Sequence, residues 1–446
     1  MFKFYRSGGI FLLLTGLFLW PALVSGQTLK DRINNIFNEI LTQRLQLSPG
    51  IHGQHFGPAA QSANKNIVTA LNTLIGTGVA SFPLSSTTAG VTFDFSSGMP
   101  VKSSSSLGPI FAERALTLGK GRVNIGFNYT YIDFKRFRGV REEDLRFTFT
   151  HQDVKPDPKI FGDNINEYDT INLFLNLDLL ANVTAFFFTV GITDALDVGV
   201  AVPFVSLRFQ SAPRATIGSE SFLRTGKANH IFGGSPTEPQ LTTELEQINE
   251  RRSGIGDIAF RVKLQILSKS LLNAAILAEY RPPTGDEDNF LGTGESSFKG
   301  MAILSGNFGR FSPHLNLSYQ GISGNQLYDR LGVTLGYDQK VFETLTFALD
   351  LAASFEVGTV SRAPIFPIFR HIAGTVAIND TTVDLSKDVS LTNVPNFSRE
   401  HLVDASLGFK YHPFEDLILI GNIFLPMNDR GLRANIVPTF GIEFNL

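Results

Sequence analysis

Apolar and polar residues alternate one for one through most of the chain after residue 121. Val123, Ile125, Phe127, Tyr129 and Tyr131 alternate with Asn124, Gly126, Asn128 and Thr130. Ile258, Phe260, Val262, Leu264 and Ile266 alternate with Asp257, Arg261, Lys263 and Gln265. Leu272, Ala274, Ile276, Ala278 and Tyr280 oppose Asn273, Glu279 and Arg281. A period of two puts each set on one face of a strand. The same pattern fills 197–209, 298–308, 313–321, 330–339, 345–356, 402–411, 416–425 and 434–446. Each segment has about 9–13 residues, the length a tilted strand needs to cross a hydrocarbon layer. Reading 169–191 as one long strand predicts 12 strands. Splitting it, and promoting 144–151, predicts 14. We take 12.

The connections sort by length. Those at 193–196, 268–270, 309–310, 340–343 and 412–415 are tight, whereas 135–167, 210–253, 282–297 and 358–399 are long and polar. Short turns on one rim and long loops on the other are the outer-membrane arrangement, with the short turns periplasmic. Tyr129, Tyr131, Tyr280, Tyr319, Tyr337 and Tyr411 fall on the apolar face towards strand ends, as in the aromatic girdles of a membrane barrel. No uninterrupted apolar stretch of about 18 residues follows the N-terminus, which excludes a helical membrane protein. The expected fold is all-β, a transmembrane antiparallel up-and-down barrel over 121–446.

Residues 1–26 read as a secretory signal peptide. Lys3 and Arg6 precede an apolar run from Ile10 to Trp20, and small residues around Gly26 mark the cleavage region. Residues 27–120 form a small, partly helical segment. Ile33, Phe37, Ile40 and Leu41 share a helical face, and 66–75 predicts a second turn or two. The segment is expected to be periplasmic or to fold back and plug the lumen, with 107–121, carrying Phe111 and Arg114, as the plug.

The last eight residues alternate to the end: Phe440, Ile442, Phe444 and Leu446 against Gly441, Glu443 and Asn445. Gly441, Phe444 and Leu446 resemble the C-terminal signal by which outer-membrane barrels engage the barrel-assembly machinery. This strand is expected to close the barrel against 123–131, because closure removes both sheet edges.

Composition adds exclusions. A formal net charge of −3 speaks against a nucleic-acid partner, which a basic face would favour. With no Cys, thiolate metal sites and disulfides are ruled out. Paired glycines at 76/78, 119/121, 254/256 and 292/294 continue into no phosphate-binding motif. Asp286, Asp288 and Glu295 form an acidic outer loop, but Leu291 stands where a calcium-binding EF-hand loop needs Gly. His52 and His55 lack a third metal ligand. An enzyme reading would need a Ser or Asp beside His151, His230, His371 or His401, and no GxSxG is present. We therefore expect no catalytic, metal or cofactor-binding residue. The polar parity carries Asp257, Arg261, Lys263, Glu279, Arg281, Lys299, Asp350, Glu356, Asp404, Lys410 and Glu443. These side chains are expected to line the lumen and to brace it by pairing.

Four stretches then carry a resemblance: 253–260 (SGIGDIAF), 280–294 (YRPPTGDEDNFLGTG), 191–203 (GITDALDVGVAVP) and 108–121 (GPIFAERALTLGKG). Over about 108–446 the chain resembles the outer-membrane transporter-like barrels named after the phenol meta-cleavage degradation pathway, which are distant relatives in architecture of the fatty acid and toluene channels. The resemblance implies passive passage of small hydrophobic or aromatic compounds across a bacterial outer membrane. Outer-membrane lipid and lipopolysaccharide would then be its surroundings. The alternative is a structural or surface-interaction barrel whose long outer loops bind partners.

Overall fold

The computed structural model describes residues 26–47, 55–56, 64–80, 93–94, 101–102, 106–153, 162, 164–324, 327–360, 369–378, 380–414 and 416–446. The expected signal peptide and His52 lie outside the described residues, Gly26 apart.

Twelve antiparallel strands close into a barrel. They are β1 (Val123–Phe137), β2 (Leu177–Thr193), β3 (Leu196–Ser211), β4 in two pieces (Ile248–Ile255 and Ala259–Ser268), β5 (Leu272–Arg281) and β6 (Ser297–Gly306). Then come β7 (Phe311–Ile322), β8 (Asp329–Phe342), β9 (Leu345–Val357), β10 (Leu402–Phe414), β11 (Leu417–Pro426) and β12 (Val437–Asn445). Each strand pairs with the next, and β12 pairs with β1, Phe444 opposite Ile125 and Phe440 opposite Tyr129. Leu446 donates to the Val123 carbonyl at 2.8 Å, so the seam runs to the last residue. The apolar parity points outward: Phe186, Phe260, Phe298, Leu335, Phe409 and Phe440 are all exposed. An apolar belt of this extent would not persist in water, and lipid is its solvent.

The stretch 169–191 is not one strand. Asn176 takes φ 47°, a left-handed conformation that Asn tolerates, and breaks it into Thr170–Phe174 and β2. Thr170–Phe174 leaves the barrel to join Arg146–Thr150, Arg214–Gly218 and Thr242–Glu244 in a four-stranded sheet at the long-loop rim. Helix α1 (Leu29–Asn38) packs on this sheet, with the Phe37 ring 6.1 Å from both Phe147 and Phe149. Thr28 and Asp31 cap α1 reciprocally, each accepting the other's backbone N–H at 3.1 Å. Helix α2 (Thr69–Ala80) buries Leu71, Leu74 and Ile75 in the same core. Both helices thus stand at the long-loop rim, opposite the short turns.

Candidate functional site: the barrel interior

Between α2 and β1 the chain turns into the barrel. Residues 106–121 run through the lumen towards the short-turn rim, where Gly121 donates to the Gly191 carbonyl at 2.8 Å. An extended segment inside a barrel has no neighbouring strand, so its amides need other acceptors. Lumen side chains provide them. Asp350 Oδ2 accepts from the amides of Ile110 (3.2 Å) and Phe111 (2.8 Å). Asn316 accepts from the Glu113 amide at 2.7 Å and donates to its carbonyl at 2.9 Å. Ser305 Oγ takes the Ala115 amide at 2.9 Å, Thr346 Oγ1 the Leu107 amide at 3.0 Å, and Asp197 the Leu118 amide at 3.1 Å. Lys263 donates to the Arg114 carbonyl at 3.3 Å. Glycines on the facing strands make the space: a Cβ at Gly336 would stand 2.6 Å from that of Ala112, and one at Gly408 2.6 Å from Ile110 Cδ1.

Above this segment lies a chamber of about 280 Å³. Its roof is α2, through Thr73, Leu74 and Thr77. Phe111 reaches up from the inner segment and meets Phe424 edge-on, ring centres 5.2 Å apart. One wall carries a row of polar side chains in cross-strand register: Arg261, Glu279, Lys299, Gln320, Arg330 and Glu356 on six successive strands. Glu279 sits at 2.7 Å from both Arg261 Nε and Arg281 Nε and at 3.3 Å from Lys299 Nζ. Arg261 also reaches Glu113 of the inner segment at 3.4 Å. On the other wall, Arg433 pairs with Asp404 at 2.7 Å.

The eleven lumen positions named from sequence thus occupy different surroundings. Arg261, Arg281, Lys299, Glu356 and Asp404 line the chamber, with Glu279 behind them. Asp350 and Lys263 hold the inner segment. Buried Lys410 and Glu443 lie near Arg114, which is also among the carboxylates of Asp338, Asp197 and Glu113. Asp257 does something else. It sits at the break in β4 and accepts from Gly285 N, Thr293 N and Thr293 Oγ1 at 2.7–3.0 Å, pinning the outer loop 282–296. Arg330, Gln320, Asn316, Asp197, His314 and Asp338 join the interior beyond those eleven positions. Parity alone would have found Arg330, which precedes outward-facing Leu331 in a regular strand. Arg433 sits in a short strand, Leu432–Ala434, outside the predicted series.

The outer loops hold the remaining candidates. Asp286 caps the short helix Glu287–Asn289, while Glu287 and Asp288 face Lys30 of α1 at 3.6 and 3.3 Å. His230 does have an Asp beside it: Asp169 accepts at 2.7 Å from His230 Nδ1 and at 3.2 Å from Ser221 Oγ. All three are buried, and both side chains converge on the carboxylate rather than on each other. That arrangement fixes a fold and presents no activated hydroxyl. His55 stacks on His151, ring centres 4.8 Å apart. Among the described residues no group of three or more His, Asp or Glu side chains is arranged to hold a metal ion. Arg138, fully buried, bonds Glu400 at 2.5 Å and the carbonyls of Pro395 and Phe397, tying three outer loops together as Glu400 also takes the Gly431 amide at 2.7 Å.

Comparison with solved structures returns membrane barrels at low identity. An outer-membrane channel from Pseudomonas putida F1 is 11% identical, covering 74% of this chain and 98% of its own, with a TM-score of 0.41. A FadL homologue from Pseudomonas aeruginosa is 11% identical over 73% of this chain and 89% of its own (TM-score 0.29). The toluene transporter TbuX from Ralstonia pickettii is 11% identical over 73% and 88% (TM-score 0.24). No curated protein matches the chain. Residues 162–419, more than half of the chain, match the family described as putative MetA-pathway of phenol degradation, and the chain belongs to that family.

Proposed function

We propose that the protein is an outer-membrane channel giving small hydrophobic or aromatic compounds passive passage. The observation that carries this reading is the chamber: a bounded space with Phe111 and Phe424 in its lining, closed towards the short-turn rim by residues 106–121. An open, water-filled pore would not retain apolar solutes, whereas a bounded cavity with aromatic and aliphatic side chains set among polar ones does. Phe111 and Arg114 belong to the closing segment in this reading, and passage requires that segment to shift. The buried ion pairs brace the wall strand to strand. Gly441, Phe444 and Leu446 serve assembly, and residues 1–26 are removed on export. The test is solute flux through the purified protein in vesicles with a lipopolysaccharide outer leaflet, comparing free and tethered inner segments.

One observation favours a second reading, a surface-interaction barrel. The long loops and the N-terminal helices build a hydrophobic core of their own at the outer rim. Absence of any solute flux would shift attention to that face.

A further inference from the structure

Arg330 is the exception in the polar row. Its neighbours are engaged: Lys299 with Glu279, Gln320 Nε2 with Ser297 Oγ at 3.0 Å, and Glu356 with the Glu400 amide at 2.7 Å. The Arg330 guanidinium, half-buried at the chamber wall, makes no hydrogen bond or ion pair within 4 Å among the described residues. Along this wall Arg261, Arg281, Lys299 and Arg330 stand against Glu113, Glu279, Glu356 and Glu400, so the charges balance, and Arg330 is set apart by facing Glu356 and Glu400 without a carboxylate oxygen within 4 Å. The same chamber offers Phe111, Phe424, Met301 and Leu432. A guanidinium held out of bulk water beside an apolar lining is matched by a planar oxyanion on a small apolar body.

We propose that the chamber binds compact apolar monocarboxylates, with Arg330 taking the carboxylate in a forked pair of hydrogen bonds and Phe111 and Phe424 packing the apolar body. The proposal rests on the channel reading and narrows its solute class. Gln320, which flanks Arg330 in the row, and Lys299 on the strand beyond it supply the nearest further donors, while Glu356 flanks Arg330 on its other side.

The test uses benzoate and benzyl alcohol, which share a ring and differ in charge. Calorimetry on the full barrel in detergent should show saturable benzoate binding that falls at least about tenfold in Arg330→Gln and is partly restored in Arg330→Lys, with benzyl alcohol binding equal in all three. Heat-modifiable migration on gels establishes that each variant is folded. Equal affinity for both probes, or benzoate binding unchanged in Arg330→Gln, overturns the proposal. Flux in lipopolysaccharide-faced vesicles separates the two readings. Benzyl alcohol flux without benzoate binding leaves the channel and removes the carboxylate site. Saturable, Arg330-dependent benzoate binding without flux of either probe keeps the site and removes the channel.

Discussion

Gly336 and Ala112 are placed so that only a hydrogen at Gly336 lets the inner segment pass: a Cβ there would come to 2.6 Å from that of Ala112. Asp350, across the β8–β9 ladder from Gly336, binds the same stretch through Ile110 and Phe111. Space and hydrogen bonds therefore fix one conformation of 110–113. Gly336→Val should push the segment aside and raise single-channel conductance in planar bilayers. Gly300→Val, where an added Cβ meets nothing within 4 Å, should leave conductance unchanged.

Asp350→Ala removes the acceptor of two backbone N–H groups. Hydrogen bonds to a charged acceptor contribute about 1.5–3 kcal/mol each, and exposure of the freed amides to water returns part of it. We expect the inner segment to become susceptible to protease in detergent while the barrel stays heat-modifiable. Equal protease resistance in both proteins would show that Asp350 does not hold it.

Breaking the Arg138–Glu400 pair should loosen the outer loops without opening the barrel. Removing one partner of a buried pair costs about 3–5 kcal/mol because the other charge is left uncompensated. Arg138→Met should speed proteolysis at 393–400 and 427–436 in intact cells. Arg136→Met, an exposed pair with Asp429 at 3.5 Å, should not.

Outer-loop stability should depend on pH through Glu142. Burial pushes its carboxyl up to about 8 from an ordinary 4.5, against the opposing pull of Lys135. Between those values an unfolded loop has already lost the proton that the folded loop keeps, so stability falls as pH rises from 4.5 to 8. Hydrogen exchange of 140–145 should therefore quicken from pH 5 to pH 8 beyond its intrinsic rise, and Glu142→Gln should abolish the excess.

Removing Phe444 to Leu446 takes away the seam opposite Ile125 and Val123. Secretion should continue and insertion should fail. A normal heat-modifiable barrel in the outer membrane after that deletion would contradict the assembly role.

The barrel was legible because lipid and lumen impose opposite demands on alternate residues, and β4 to β12 obey them. Sequence pattern failed where a second core intervened. At 169–191 Leu and Ile alternate across Asn176 without a break, yet the two halves serve different sheets, because the outer core needs Ile171 and Leu173 as much as the bilayer needs Phe186. Most of Ile248–Ile255 falls within the long connection expected at 210–253, because only its pairing with β3 makes it a strand. The interior was half legible. Parity selected buried charges, but which of them hold the inner segment, which line the chamber and which, like Asp257, pin a loop depends on height along the strand. That height is set by register, which a single sequence does not print. Parity places Arg330 in the lumen, but its distinction lies in what its neighbours bind.

The central claim is that solutes pass through the chamber when residues 106–121 move. The chain has no native cysteine, so a single disulfide can be placed cleanly. Ala115→Cys with Ser305→Cys joins the segment to β6 where backbone N–H and Oγ already meet at 2.9 Å. Benzyl alcohol uptake into lipopolysaccharide-faced vesicles should be rapid with the reduced double variant, fall to the protein-free rate on oxidation, and recover on reduction. Uptake that is the same in both redox states, with the disulfide formed, would contradict it.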